Sequence, residues 1–217
     1  PWVDHVKTLG SAVFVASMLK VFAEEPKLDV ANFFKLNEAS FMGWIGRARG
    51  AWAPTAPYYA FRMVSRDMAP GLLASEAAGP RYASRALGFF ERVSDVPTLD
   101  VLATRTPEGA PGPAVATILL INKSVTATAV AGVSLRGSAG AERLVTQTLT
   151  GAAVDANTGT ELPRVPGLNW APQREAGPGG RFRRGAPDEV RIARDERANP
   201  GAQSELRVPP HSLMLLR

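Results

Sequence analysis

Over the first 25 positions apolar residues recur three and four apart, at Val6, Leu9, Val13, Ala16, Met18, Leu19 and Phe22. That spacing predicts an amphipathic helix over His5–Glu25, stopped by Pro26. The period then changes. Leu28 to Leu36, LDVANFFKL, is short and rich in β-compatible residues, which predicts a strand. A strand that follows a helix after so brief a turn fits an α/β repeat. Asn37 to Pro54 carries Gly43, Gly46, Gly50, Trp44 and Trp52 and reads as a loop. Pro54 and Pro57 then open a second helix, with Tyr58, Tyr59, Phe61, Met63 and Val64 as its buried face and an end near Met68 to Gly71.

After Gly79 the period becomes two. Candidate strands are Ser84 to Phe90, Leu99 to Arg105, Val115 to Asn122, Ala127 to Leu135, Glu142 to Thr150, Val190 to Ile192 and Leu206 to Arg217, divided by Pro- and Gly-rich turns. Many short strands at roughly regular spacing predict a β-sandwich or jelly roll. The expected fold class is therefore α/β plus all-β. Residues 1–70 form a helix, strand, loop and helix, 71–83 a linker, and 84–217 a β-sandwich domain. Trp170 to Gly185, with Gly177, Gly179, Gly180, Arg181, Arg183 and Arg184, reads as a long exposed loop. No internal repeat is present.

Composition narrows the partners. A chain of 217 residues with 45% hydrophobic content is long enough for one large or two small packed domains. The net charge of +5 and pI near 10.0 come mostly from Arg scattered in loops with Asp and Glu between them. That pattern is a solvated surface rather than a nucleic-acid footprint, and no nucleic-acid partner is expected. With no cysteine, disulfides, thiolate metal sites and a Cys nucleophile are excluded. No apolar run approaches the ~20 residues of a membrane span. The opening PWVDHVKTLGSAVF lacks the order of a signal peptide, and a Pro leading straight into a helical pattern reads as a processed chain or a piece of a longer one.

Candidate chemistry in the residues is sparse. His5 and His211 are the two histidines, and neither has partners at metal-ligand spacing, so neither a metal nor a cofactor is expected. Ser212 and His211 are adjacent on an expected strand and point to opposite faces, which defeats a Ser-His-Asp triad. AGPGGR lacks the strand-to-helix setting and the Lys-Ser/Thr ending of a phosphate loop. Asn122-Lys123-Ser124 is formally a glycosylation sequon that reads equally as turn chemistry, as does Asn157-Thr158-Gly159. RFRRG, with Phe182 as its aromatic, reads as solvated loop.

LDVANFFKL, its Gly-rich loop and APYYAFRMVSRDM together resemble the last strand, loop and helix of the (β/α)8 barrel in glycoside hydrolase family 51 α-L-arabinofuranosidases. ATILLINKS and ELRVPPHSLMLLR, above all Val208, Pro209, Pro210, His211 and Ser212, resemble two strands of the jelly roll appended to that barrel. The resemblance covers most of this chain but only the C-terminal part of the family's length. It implies a retaining hydrolase that uses two carboxylates about 5 Å apart, at the ends of barrel strands four and seven. If Leu28 to Leu36 is strand eight, both lie upstream of Pro1, and this chain holds no catalytic residue. The rival is that Asn37-Glu38 is the Asn-Glu pair ending strand four. Four more βα units would then have to follow, and none is visible after Met68.

At the carboxyl end of a barrel strand Lys35, Asn37 and Glu38 would line the sugar pocket; a rim salt bridge is the structural alternative. Trp44 and Trp52 would stack on sugar rings, or simply pack beneath the loop. The implied partners are a carbohydrate substrate, a companion N-terminal chain carrying the rest of the barrel, and further copies in an oligomer. A barrel lacking most of its strands cannot close, so the chain is expected to be inactive and unstable alone. The reading from a different class is a non-catalytic carbohydrate- or protein-binding β-sandwich module.

Overall fold

The computed structural model describes residues 6–37, 43–48, 50–86, 88–113, 115–136, 143–159, 185–198 and 204–217. Glu38, His5 and the stretch from Trp170 to Arg184 lie outside them.

Two helices come first. Helix α1 spans Leu9–Glu24, capped by Thr8, whose hydroxyl accepts from the Ser11 amide. Its first two amides donate to Ala156 and Val154 carbonyls, both at 2.8 Å, so a distant turn satisfies groups a helix start leaves unpaired. Helix α2 spans Ala56–Asp67 after Thr55, with proline in its first turn. Between them strands β1 (Ile45–Ala48) and β2 (Ala51–Pro54) form a hairpin, turned at Gly50 with φ +84°.

The rest is β. Strands β3 (Gly71–Leu73), β4 (Arg81–Tyr82), β5 (Val96–Pro97), β6 (Leu99–Arg105), β7 (Ala116–Asn122), β8 (Ala129–Val133), β9 (Arg143–Gly151), β10 (Val190–Ala198), β11 (Ser204–Val208) and β12 (Ser212–Leu216) follow in order. Six of them make one antiparallel sheet in the order β10-β9-β12-β7-β6-β3. β11 and β8 pair separately, as do β4 and β5.

The central strands are apolar at nearly every position because both faces of the sheet are covered. Leu119, Ile121, Leu213, Leu215, Leu102 and Leu149 face one way and pack with Leu9, Ala12, Val13 and Ala16 of α1 and Ala60 and Met63 of α2. Ile118, Leu120, Met214, Leu216 and Ala103 face the other way, against Ala131 of β8 and Leu206 and Val208 of β11. Successive side chains alternate between faces, so one run of leucines serves two cores. The outcome is a mixed fold of two helices and mostly sheet, with helices on one face of the large sheet and a two-stranded layer on the other.

Several expected elements form otherwise. Leu28 to Leu36 joins no sheet: a strand exists only through a neighbour, and no described strand runs alongside it apart from a single parallel bridge between Asn37 and Ile45. The expected loop Asn37 to Pro54 contains the β1–β2 hairpin, and the stretch between the second helix and Arg81 contributes β3 to the main sheet. Ser84 to Phe90 forms no strand. Leu206 to Arg217 divides at Pro209, Pro210 and His211, where His211 takes φ +41°. β10 runs on to Ala198 because its Arg, Asp and Glu residues pair along β9 as an exposed edge, with Arg143 bound to Glu196 at 2.6 Å.

The joint between α1 and the 153–157 turn is close. A Cβ at Gly10 would meet Val154 Cγ2 at 2.9 Å and its carbonyl oxygen at 3.3 Å. Gly10→Val is expected to cost about 2 kcal/mol by pushing the turn off the helix start. Urea unfolding of the purified protein measures it, and an unchanged midpoint would show that the turn yields freely.

Candidate functional site

The polar and aromatic residues that the sequence singles out gather around the β1–β2 hairpin. The Leu36 carbonyl accepts the Ile45 amide at 2.8 Å, so the hairpin is tied to the end of the 28–36 stretch. Trp44 is 8% exposed. The Phe33 ring stacks on it at 3.4 Å between centroids and 18° between planes, and Phe61 of α2 tilts against it at 5.1 Å. Its carbonyl accepts both the amide and the hydroxyl of Thr55, at 2.9 and 2.6 Å, which fixes the entry to α2. The Thr158 hydroxyl donates to the Pro54 carbonyl at 2.9 Å and ties the end of β2, opposite Ile45, to the turn after β9.

Trp44 is thus covered on one face by Phe33 and serves as the pivot of the hairpin. Trp52 is 52% exposed on β2, opposite Arg47 in the register. Lys35 is exposed, with its ammonium 5.6 Å from the Phe34 ring centre. Asn37 is exposed at the bridge to Ile45. Lys35 and Trp44 share the wall of an open cavity of about 410 Å³ whose other lining is mostly apolar, including Phe14, Phe22, Phe33 and Phe61; Asn37 and Trp52 do not line it. Glu38 falls outside the described residues.

On α2, burial raises the Tyr59 phenol above its usual pKa, opposed by the Arg62 guanidinium. Among the described residues no three His, Asp or Glu side chains gather as a metal site, and no helix is long and apolar enough to cross a membrane. His211 is buried: its Nδ1 lies 3.1 Å from the Val125 carbonyl and its Nε2 3.3 Å from that of Gly151. It joins the turn after β7 to the end of β9. Asn122, at the head of the sequon, has no exposed surface, and its amide nitrogen donates to Ala127, Val208 and Pro209. It is turn chemistry and not a glycosylation acceptor.

Sequence reasoning did not single out Phe33, Thr55 or Thr158 as the supports of this hairpin. The Thr55-Ala56-Pro57 start of α2 carried a local cap signal; the Phe33 stack and the Thr158 anchor are tertiary and carried none.

No protein-family model matches the sequence, and no curated protein matches it. Solved structures do match the fold. An α-L-arabinofuranosidase from Thermotoga maritima, in complex with arabinose, superposes with TM-score 0.73 at 18% identity, over 96% of this chain and 38% of its own. The thermostable GH51 α-L-arabinofuranosidase from Thermotoga petrophila RKU-1 gives 0.70 at 16% identity, over 99% of this chain and 39% of its own. The GH51 arabinofuranosidase from Xanthomonas axonopodis pv. citri gives 0.64 at 16% identity, over 97% and 35%. The chain thus has the fold of part of such an enzyme and spans well under half the length of these neighbours.

Proposed function

We propose that this chain is the C-terminal part of a retaining glycoside hydrolase of the α-L-arabinofuranosidase type. On this reading residues 1–70 supply the last strand, loop and helix of a (β/α)8 barrel, 71–83 link them onward, and 84–217 form the jelly roll. The observation that carries it is the superposition, which takes in 96% of this chain but 38% of the arabinofuranosidase. The two catalytic carboxylates, about 5 Å apart in a retaining enzyme, then belong to the uncovered length.

The work left to this chain is positioning. The stacked Phe33, Trp44 and Phe61 rings hold the hairpin rigidly at the end of the 28–36 stretch. Trp52, half exposed on β2, brings indole surface suited to the axial hydrogens of a sugar ring. Lys35, Asn37 and Glu38 supply hydrogen bonds to sugar hydroxyls at the pocket rim. Trp44, already faced by Phe33, supports the site from beneath.

Intact mass and N-terminal sequencing of everything that copurifies tests the reading, together with release of arabinose from an aryl α-L-arabinofuranoside. The assembly is expected to turn over and residues 1–217 alone to be inert. In the assembly Glu38→Gln is expected to raise KM several-fold with kcat within about tenfold, because uniform binding, not transition-state chemistry, is lost. Turnover by the chain alone, or a thousandfold fall in kcat for Glu38→Gln, would overturn it.

A further inference from the structure

The turn that follows β9 grips three separate parts of the molecule. Its Ala156 and Val154 carbonyls take the amides of Leu9 and Gly10 at the start of α1, both at 2.8 Å. Asn157, buried, accepts the Gly159 and Gly185 amides on its Oδ1 at 3.0 and 2.9 Å and donates to the Asp155 carbonyl at 3.2 Å. Thr158, 5% exposed, reaches 104 positions back along the chain to the Pro54 carbonyl. A turn held by α1 and by Gly185 is a fixed point, so the Thr158 hydroxyl transmits that fixity to Pro54.

The tie falls at the base of the β1–β2 hairpin. Pro54 ends β2 and stands opposite Ile45, whose amide is held by the Leu36 carbonyl. Each strand of the base therefore has its own outside restraint, β1 from the 28–36 stretch and β2 from the turn after β9. Trp52 lies two residues from Pro54 on the same four-residue strand, about 7 Å away. So short a strand cannot absorb a shift at its end, and movement at Pro54 passes to Trp52. The bonds of Thr55 to the Trp44 carbonyl and of Ile45 to Leu36 do not involve Thr158. Without the Thr158 hydroxyl the hairpin keeps its register while β2 loses its restraint.

We propose that Thr158 is a positioning residue for carbohydrate binding: its hydroxyl holds the β2 end of the hairpin and so sets the place of Trp52. The role of Trp52 in stacking on sugar rests on the proposed function; the tie through Pro54 does not. A misplacement of about 1 Å in a group that orients substrate has a cost far beyond its size.

The test is a set of variants in the assembly, assayed on an aryl α-L-arabinofuranoside. Thr158→Val keeps the shape of the side chain and removes the hydroxyl; it is expected to raise KM about five- to tenfold with kcat within about twofold, because stacking is alike in substrate and transition state. Thr158→Ser restores the hydroxyl and is expected to stay within about twofold of wild type on both. Thr104→Val removes a buried hydroxyl bonded to Thr117 at 2.5 Å elsewhere in the main sheet; as the control for lost stability it is expected to leave KM unchanged. In a Trp52→Ala background Thr158→Val is expected to add less than about twofold, since the two act through one contact. An unchanged KM in Thr158→Val, an equal rise in Thr104→Val, or the full rise persisting without Trp52 would each overturn the assignment. An assembly that releases no arabinose overturns the proposed function instead. Hydrogen exchange then reads the tie: amides of β1 and β2 are expected to exchange at least about tenfold faster in Thr158→Val than in wild type, with β7 unchanged, and equal hairpin exchange overturns it.

Discussion

Replacing Asn122 with Ala lowers the stability of the protein by about 4 kcal/mol, among the largest effects expected of a single polar side chain. Asn122 ends β7 with no exposed surface. Its amide nitrogen donates to the carbonyls of Ala127, Val208 and Pro209 at 2.9, 3.0 and 2.8 Å, and its Oδ1 accepts the Ser124 amide at 3.0 Å. One side chain thus joins the turn after β7 to the turn between β11 and β12. Each lost bond is worth about 1 kcal/mol, and each carbonyl left dry adds about 1 to 3 more, offset as water enters. Asn122→Asp tests the donor requirement: an ionised carboxylate would face three carbonyl oxygens with nothing to donate. Its loss is expected to equal or exceed that of Ala near neutral pH and to shrink in acid, where the carboxyl regains a proton. Urea titrations of the purified protein, in whatever assembly it is isolated, read both. An Asp variant as stable as wild type at pH 7 would mean that the three carbonyls do not depend on this donor.

Leu213→Ala is expected to cost about 3 to 5 kcal/mol, the range for a fully buried leucine whose cavity cannot collapse. Leu213 has no exposed surface and lies between Ile121 and Leu149 in the register, on the face covered by the helices. Its neighbour Met214 points to the opposite core, beneath β8 and β11. Met214→Ala is expected to cost about 2 to 3 kcal/mol, within the lower part of the same range. Because one sheet carries both cores, both variants should shift a single transition. Tryptophan fluorescence, recorded on a variant with Trp2 and Trp170 replaced by Phe so that it senses Trp44 and Trp52 at the hairpin, and circular dichroism of the strands should move together. If Leu213→Ala released the fluorescence signal while the strand signal held, the helical layer and the sheet would be separate cooperative units.

Where the pattern of apolar positions was self-sufficient, the sequence located the elements closely. Leu99 to Arg105 is β6 residue for residue, and Val115 to Asn122 is one residue longer than β7. β7 carries the apolar run Ile118 to Ile121 and β6 the shorter Val101 to Ala103, and burial on two faces makes the strand signal strong. The helices were likewise legible, through the spacing of Leu9, Val13 and Ala16 and the proline in the first turn of α2. The signal failed where pairing, not composition, makes the structure. Gly71–Leu73 is too short to show a period, and becomes a strand because β6 offers an edge. Val190–Ala198 is masked by RDER, since an exposed edge strand need not alternate. The hairpin in Asn37 to Pro54 hides behind its glycines, although Gly50 at φ +84° is what lets it turn.

The candidate site divides in the same manner. Lys35, Asn37, Glu38, Trp44 and Trp52 were picked out as polar and aromatic residues clustered after an apolar run, a property of the chain itself. Burial separates the two tryptophans, and burial is set by distant residues: Phe33 and Phe61 close over Trp44, which is 8% exposed, while Trp52 is 52% exposed. The sequence by itself determined the mixed class, the helices, the central strands and the absence of thiol chemistry, because these depend on residue type and short-range period. Only the tertiary structure decided that the helices and the β8–β11 pair cover opposite faces of one sheet, that Asn122 is a buried clasp rather than a glycan acceptor, and that Leu28 to Leu36 stands exposed. Each of those depends on which distant backbone or side chain arrives beside it, and a local pattern does not contain that information.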